Sequence, residues 1–583
     1  MRKTKIVCTL GPATDDVNIL KEMMLNGMDV ARINMSHQNH QKHLERVDMV
    51  KKLREDLSLP VALMLDTRGP EIRIGKFKAS KIQLKKGQTF TLTSEDILGD
   101  ESIVSITFKG LANEISAGTK ILIDDGLISF LVKEISGSAI ICEVLNDGFL
   151  SANKGINIPG LRLSLPFISQ KDFDDIKFAV EQDFDFIAAS FTRNADDIKK
   201  LRKVLLDLNG SNIKIIAKIE NSDGINNIDE IIKVADGIMV ARGDLGVEIP
   251  LENIPTIQKK LIKKACNAGK HVITATQMLD SMMKNPRPTR AEVSDVANAI
   301  YDGTSAIMLS GETAAGLYPV EAVKFMASIA TKTESEIDYK KRFFDLPLAL
   351  KTTITAALSH ATCTTALDLG ASAILTITRS GKTAQFVSKY RPSCPIIAVT
   401  SDQMVLRQLN LLWGVIPLFM KNEFSDLNQL SDEVIKAASE VKIIKDGDLV
   451  VITAGLPLGK IYGTNFLKVH LVGDILLSGH GLTNTSAQGK LCICRNEDEV
   501  FENFKSGDIL VIPETSNKIL NLIKDVGAII TEVSEENSHA VVVGFELDKP
   551  VITGAKMQTK LLKNGSFVTV DARRGIVFES KNN

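Results

Sequence analysis

Eight short apolar runs, rich in Val, Ile, Leu and Ala, punctuate the chain up to about residue 340 and predict buried parallel strands. They begin near Lys5 (KIVCTL), Asp29 (DVARIN), Val61 (VALMLD), Phe186 (FIAAS), Ile213 (IKIIAKIE), Gly237 (GIMVARGD), His271 (HVITAT) and Ser305 (SAIMLSGE). Helical patterns lie between them, as at Val17–Leu25, Ala195–Leu208 and Ile254–Ala268. Successive starts are 24, 32, 125, 27, 24, 34 and 34 residues apart. A βα unit of about 30 residues fits every interval but the third, which holds an insertion of about 95 residues. Without it, eight βα units read as a closed (βα)₈ barrel of about 240 residues, at 1–69 and 166–340.

The insertion, 70–165, has a different texture. It alternates apolar and polar positions (KIQLKKGQTFTLT, TKILIDDGLISFLV, SAIICEVL) between Gly turns, the pattern of a small antiparallel β domain. After Asp338 the α/β pattern restarts. Helix Thr353–Leu367 leads to AILTIT, then PIIAVTS, GVIPLFM, helix Leu427–Val441, DLVVITAG and KVHLVG, an open α/β domain over 341–474. The Gly/Ser/Thr-rich stretch SGHGLTNTSAQG (478–489) reads as a linker. Residues 475–583 end in a further small α/β unit. The total of 583 residues, at about 150 per domain, agrees with four.

Composition narrows the function classes. Lys and Arg number 70 against 71 Asp and Glu, so the chain lacks the basic excess of a nucleic-acid binder. The seven cysteines are scattered and no zinc spacing is complete, which reads as reduced core thiols in a cytoplasmic protein. The longest apolar stretch, around Leu409–Met420, is shorter than the roughly 20 residues of a membrane span.

Barrel active sites sit at the C-terminal ends of the strands. Those ends carry Arg32, Asn34 and Ser36 on the second run. Asp66 and Thr67, with Arg68 and Arg73 beyond, end the third. The fifth ends in Lys218 and Glu220, the sixth in Arg242 and Asp244, the seventh in Thr276 and Gln277, the eighth in Ser310 and Glu312. Side chains alternate along a strand, so Lys218 and Glu220 share a face. A lysine beside carboxylates suits a substrate of concentrated negative charge, and Arg32 is a fork donor for a phosphoryl group. Glu220 and Asp244 are hard oxygen ligands suited to Mg²⁺. Asn34, Ser36, Asp66 and Thr67 offer mostly neutral oxygens, a mix that suits a monovalent cation. A pair such as Lys218–Glu220 taken alone reads equally well as a structural ion pair; the gathering of so many polar strand ends favours a site.

The runs KIVCTLGPAT (5–14), ARINMSH (31–37), LDTRGPEIR (65–73), IIAKIEN (215–221), MVARGDLGVEIP (239–250) and TATQMLDSMMKNPRPTRAEVSDVANAIYDGTSAIMLSGETA (274–314) closely resemble the pyruvate kinase family, and the resemblance extends to about residue 474. It implies a TIM barrel with a small β-barrel cap inserted after strand three and a C-terminal α/β regulatory domain. It implies phosphoryl transfer from phosphoenolpyruvate to ADP, giving pyruvate and ATP, with Mg²⁺ (or Mn²⁺) and K⁺, in a cytoplasmic homotetramer. Carried over by position, Arg32 grips the phosphoryl group and Lys218 stabilises it and the enolate. Gly243, Asp244 and Thr276 hold the substrate carboxylate, with Thr276 the candidate proton relay. Glu220 and Asp244 bind Mg²⁺; Asn34, Ser36, Asp66 and Thr67 bind K⁺. Glu71 stands where the K⁺-dependent members carry Glu. Asn34, Ser36, His37, Arg73 and Lys154 lie on the nucleotide side, with Pro12 near it.

Thr378, Arg379, Ser380, Gly381, Lys382 and Thr383 follow AILTIT and open a helix, where backbone N–H groups, hydroxyls and two cations suit an anion. A plain strand–helix turn is the bland reading; the family resemblance implies a cradle for the phosphate of an allosteric activator. Past residue 474, TEVSEENSHAVVVGFELDKPVITGA (531–555) resembles the swivelling phosphohistidine domain of phosphoenolpyruvate-utilising enzymes, with His539 at the phosphorylated position. Ser534 and Glu535 replace that family's paired glycines and Asn537 its threonine, and Glu535 and Glu536 put negative charge where a phosphoryl group would sit. The expectation is a structural or interface role for His539. A Mg²⁺-dependent pyruvate aldolase would leave the cap and Lys154 without a task. A non-catalytic sensor would require a lost key residue, and none is lost. A phosphoenolpyruvate–pyruvate dikinase would need an intact histidine motif and an ATP-grasp segment.

Overall fold

The eight apolar runs form strands β1 (Lys5–Thr9), β2 (Val30–Asn34), β3 (Ala62–Asp66), β4 (Phe186–Ala189), β5 (Lys214–Ile219), β6 (Gly237–Ala241), β7 (His271–Ala275) and β8 (Ala306–Leu309). In this computed structural model, which describes residues 1–161, 164–346, 353–421, 427–455, 463–473, 475–535, 537–555 and 562–579, they close into a parallel barrel in sequence order. The chain divides into two compact units: Met1–Cys363 with Thr376–Glu423 and Thr453–Phe466, and Thr364–Leu375 with Phe424–Ile452 and Leu467–Asn583.

In the first unit the barrel strands are apolar throughout because side chains on both faces are buried, against the helices outside and against each other within. The interior includes Val7, Met64, Phe186, Met239 and Met308, and Leu411 joins this cluster. Arg407 binds Asp185, which immediately precedes β4, at 2.8 Å, and Gln408 donates to the Asp185 carbonyl. Asn410 donates to the carbonyls of Asp29 and Pro60. These contacts fasten the C-terminal end of helix Gln403–Leu409 and the following Asn410 to the N-terminal ends of the barrel strands.

The insertion is the expected β cap. Its seven-stranded sheet runs from edge strand Ile72–Arg73 to edge strand Ile103–Ser105. The edges meet: Ile74 bridges Ile106, Gly75 N–H donates to Ser105 O (2.7 Å) and Thr107 N–H to Arg73 O (2.9 Å), closing a small barrel. One pairing departs from the antiparallel expectation. Thr89–Thr93 runs parallel to Ile103–Ser105, because residues 94–102 between them form a crossover rather than a hairpin turn.

The later α/β elements also appear: helix Ile354–Asp368, strands Ala373–Ile377, Ile396–Thr400, Val415–Phe419, Leu449–Ala454 and Phe466–Leu471, and helices Lys382–Lys389 and Leu427–Glu440. In the second unit, the C-terminal residues build an eight-stranded mixed sheet. Its central strands Ser486–Ile493, Ile509–Ile512, Ala528–Thr531 and Val551–Thr553 pair in parallel.

The expected linker at 478–489 is corrected here. It contains strand His480–Gly481 and the start of Ser486–Ile493. Its small residues permit close packing: a Cβ on Gly481 would lie 1.7 Å from Ala572 O. Thr483 Oγ1 accepts a hydrogen bond from Val551 N–H at 3.0 Å. Glu536 lies outside the described residues. All seven cysteines are free thiols. Among the described residues no helix is long and apolar enough to cross a membrane.

Candidate active site

Asp66, the last residue of β3, is the hub of the barrel mouth. One carboxylate oxygen accepts from Arg32 Nε (2.7 Å) and the other from Lys218 Nζ (3.0 Å). Arg32 also donates to Thr9 Oγ1 at 2.8 Å, and Lys218 to Ser190 Oγ at 2.9 Å. All five side chains are buried. Burial alone would raise the Asp66 carboxyl, but Arg32 and Lys218 hold it below the usual carboxylate range. Burial would strip Lys218 of its proton, yet Asp66 and Glu220 more than offset this and raise its pKa, so it stays cationic.

Glu220 is different. Its Oε2 accepts from Phe191 N–H at 2.6 Å, while Oε1 lies 2.8 Å from Lys218 Nζ but is poorly angled for a hydrogen bond and has no other donor. Burial pushes its carboxyl up, and the charge of Asp244 adds to the shift. Lys218 opposes this but is shared with Asp66, which has Arg32 as well. Apart from the Lys218 ion pair no donor reaches Oε1, which leaves this buried oxygen open to a cation ligand. Among the described residues no three His, Cys, Asp or Glu side chains gather as a metal cage. Glu220 and Asp244 supply two hard carboxylates, a number that suits Mg²⁺ when water and substrate oxygens complete its shell.

Thr276 follows β7 with φ +70°, a left-handed conformation costly for a β-branched residue. Its surroundings enforce it: Gly243 N–H donates to Thr276 Oγ1 (2.8 Å) and Arg242 to Thr276 O (2.7 Å), with Arg242 braced by Asp295 (2.7 Å). The Thr276 hydroxyl donates to Ala275 O.

After β2, Ser36 N–H donates to Asn34 Oδ1 at 3.1 Å. Asn34 pairs in register with Asp66, so the oxygen-rich set Asn34, Ser36, Asp66 and Thr67 shares one edge of the mouth. His37 reaches solvent on one side, and desolvation by the protein on the other, followed by the charge of Arg73, lowers its pKa. Arg73 ends one cap strand and Lys154 directly precedes its neighbour, where Gly155 pairs with Arg73. Both are in ion pairs, Arg73 with Glu71 (2.6 Å) and Lys154 with Asp124 (2.8 Å). Pro12 is exposed at the start of a short 3₁₀ turn.

Two further expected sites belong to elements other than the barrel strands. In the 378–383 loop, Gly381 turns the chain with φ +79°; Arg379, Ser380 and Lys382 are exposed, and Thr378 and Thr383 buried. Thr464 donates to Thr383 Oγ1 (3.2 Å) and its N–H to Thr355 Oγ1 (3.2 Å), which adds hydroxyls beside the loop. His539 opens helix His539–Glu546 with both ring nitrogens engaged, Nδ1 with Thr515 Oγ1 (2.9 Å) and Nε2 with Asn517 Oδ1 (3.1 Å).

Sequence reasoning missed Thr9 and Ser190, which end or follow β1 and β4. The signal was the one used elsewhere, a polar residue where an apolar run stops.

The comparisons agree with this layout. Family models for the pyruvate kinase barrel domain, the pyruvate kinase alpha/beta domain and the mobile domain of PEP-utilising enzymes match residues 1–323, 356–470 and 504–575. A pyruvate kinase of Geobacillus stearothermophilus is 48% identical over 581 residues, covering 99% of this chain and 98% of its own. One from Bacillus licheniformis is 45% identical over 584 residues, covering 100% and 99%. The crystal structure of a pyruvate kinase from Cryptosporidium parvum aligns with a TM-score of 0.76 at 39% identity, over 81% of this chain and 96% of that one. With its barrel, α/β domain and C-terminal module each matched, and full-length relatives at this identity, the chain belongs to the pyruvate kinase family of transferases.

Proposed function

We propose that the barrel mouth transfers the phosphoryl group of phosphoenolpyruvate to ADP, yielding pyruvate and ATP. The observation that carries this reading is the convergence of two buried cations, Arg32 and Lys218, on Asp66, with Glu220 paired to Lys218 beside them. Phosphoryl transfer needs positioning and charge stabilisation more than covalent chemistry. Arg32 grips the phosphoryl group. Lys218, held cationic, faces it and then the enolate oxygen. Gly243, Asp244 and Thr276 receive the substrate carboxylate. The Thr276 hydroxyl, by turning away from Ala275 O, relays a proton through water to carbon three of the enolate, taking up a proton from solvent water as it gives its own.

Glu220 and Asp244 would hold Mg²⁺ or Mn²⁺, which when bound neutralises charge on the phosphoryl oxygens. Asn34, Ser36, Asp66 and Thr67 would hold K⁺, and Glu71 goes with K⁺ dependence. Asn34, Ser36, His37, Arg73 and Lys154 face the nucleotide, whose phosphates would compete with Glu71 and Asp124 for the two cap cations.

The 378–383 loop takes the phosphate of an allosteric activator. His539 serves structure, since a phosphoryl group on either nitrogen would displace Thr515 or Asn517. The enzyme works as a cytoplasmic homotetramer, with barrel limits 1–69 and 166–340, cap 70–165, effector domain 341–474 and appended module 475–583.

A lactate-dehydrogenase-coupled assay with ADP, with and without Mg²⁺ and K⁺, tests the reading. Pyruvate formation should require both ions, and Lys218→Met should abolish it in a folded protein. Normal turnover by Lys218→Met would overturn the assignment.

A further inference from the structure

We infer that Lys171, held by Asp175, is a positioning residue for the monovalent-cation edge of the barrel mouth. This rests on the K⁺ reading of Asn34, Ser36, Asp66 and Thr67. Lys171 lies on helix Gln170–Glu181, the first helix after the chain returns from the cap. Its Nζ donates to Met35 O at 2.8 Å, across 136 residues of sequence, and to Asp175 Oδ2 at 2.8 Å. The other oxygen of Asp175 bonds His40 Nε2 at 2.6 Å, and the His40 ring stacks on Phe178 at 4.8 Å. Asp175 is fully buried. The Lys171 side chain is 43% exposed, but its ammonium is held between a buried carboxylate and a carbonyl distant in sequence, which a freely solvated i,i+4 pair is not.

The bond to Met35 matters because of what the same peptide unit does. Its carbonyl points to Lys171, and its N–H, that of Ser36, donates to Asn34 Oδ1 at 3.1 Å. Met35 N–H is also fixed, to Asp66 O at 3.0 Å. Lys171 thus pins the Met35–Ser36 peptide plane, which aims the Asn34 oxygen and carries the Ser36 hydroxyl. Two of the four proposed K⁺ ligands depend on that one plane. Asp175 fixes Lys171 and balances its charge, which would otherwise oppose a cation nearby.

The same helix start grips the end of the first barrel segment: Asp172 Oδ1 accepts from Gly69 N–H at 3.0 Å, and Ser169 forms a capping box with Asp172. The platform that holds Lys171 is therefore itself fixed.

The test uses the full-length enzyme with Mg²⁺ and phosphoenolpyruvate, titrated with KCl against tetramethylammonium chloride at constant ionic strength. Half-saturation by K⁺ is read from activity and, separately, from the K⁺-specific rise in Tm. Lys171→Met should raise both half-saturation values about tenfold, the size of one charge-assisted hydrogen bond. The KM for phosphoenolpyruvate and kcat at saturating K⁺ should change by less than about twofold. Asp175→Asn should shift K⁺ in the same direction, and Lys171→Arg, which keeps a cationic donor, should restore most of the affinity. If Lys171→Met does not fold, Asp175→Asn and Lys171→Gln carry the comparison. Unchanged K⁺ half-saturation in a folded variant, or a loss of kcat and stability without it, would overturn the inference. If the unaltered enzyme shows no K⁺-specific activation or Tm rise, the reading of the K⁺ set itself fails.

Discussion

Lys218 on the fifth barrel strand and Asp66 on the third form a buried ion pair of 3.0 Å across the mouth of the barrel. Asp66 serves Arg32 at the same time. Asp66→Asn would leave buried Arg32 facing a neutral amide and Lys218 with Glu220 alone, and removing one partner of a buried pair costs about 3–5 kcal/mol. Activity should fall by at least about a hundredfold because both phosphoryl-facing cations lose their aim. Denaturant melts and the coupled assay measure the two effects. Near-normal kcat with intact stability would show that Arg32 and Lys218 are held by other groups.

Ser190 links the two sides of this hub, accepting from Lys218 (2.9 Å) and donating to Thr67 O (2.6 Å). Ser190→Ala should lower kcat about tenfold, the value of one charge-assisted bond, with a small change in the KM for phosphoenolpyruvate. A variant with unaltered kcat would reduce Ser190 to a packing residue.

The ease with which the sequence could be read varied for physical reasons. The eight strands were plain because parallel barrel strands are buried on both faces and leave continuous apolar runs. Lys218, Glu220, Arg32 and Asp66 were plain because charges at the ends of such runs are conspicuous. Thr9 and Ser190 were not, since a lone hydroxyl ending an apolar run is ordinary. Lys171 was out of reach because its partner Met35 lies 136 residues away and offers a backbone carbonyl, which every residue has. The 478–489 stretch misled because glycine needed for close strand packing looks, in sequence, like glycine needed for flexibility.

Gly481 tests that last point. Gly481→Ala places a methyl carbon on the Ala572 carbonyl, a backbone atom that cannot rotate away. The C-terminal sheet should lose on the order of 1–3 kcal/mol, as overpacked sites do. Limited proteolysis should cut the appended module faster, and an unchanged cleavage rate would return the segment to linker status.

His539 should remain unmodified. Incubation with labelled phosphoenolpyruvate should give no acid-labile label, because Thr515 and Asn517 occupy both nitrogens. His539→Ala should cost about 1 kcal/mol per lost bond in the module. Stable label on His539 would overturn the structural role.

His271 at the start of β7 makes the fold acid-sensitive. It is buried, its ring lies edge-on to Phe186 at 6.1 Å, and its Nδ1 has no hydrogen-bond partner, so a proton there would find no acceptor. Burial pulls its pKa down to about 4, against about 6.5 in an unfolded chain. Between these values the unfolded state binds the extra proton, so stability rises with pH and is complete above about 6.5. As pH falls through that window toward 4, about 3 kcal/mol should be lost from this residue. His271→Gln does not titrate, so its stability should differ less between pH 7.5 and pH 5 than that of the unaltered enzyme. Guanidinium melts at the two pH values measure the difference. An equal loss in both proteins would assign the acid sensitivity to other groups.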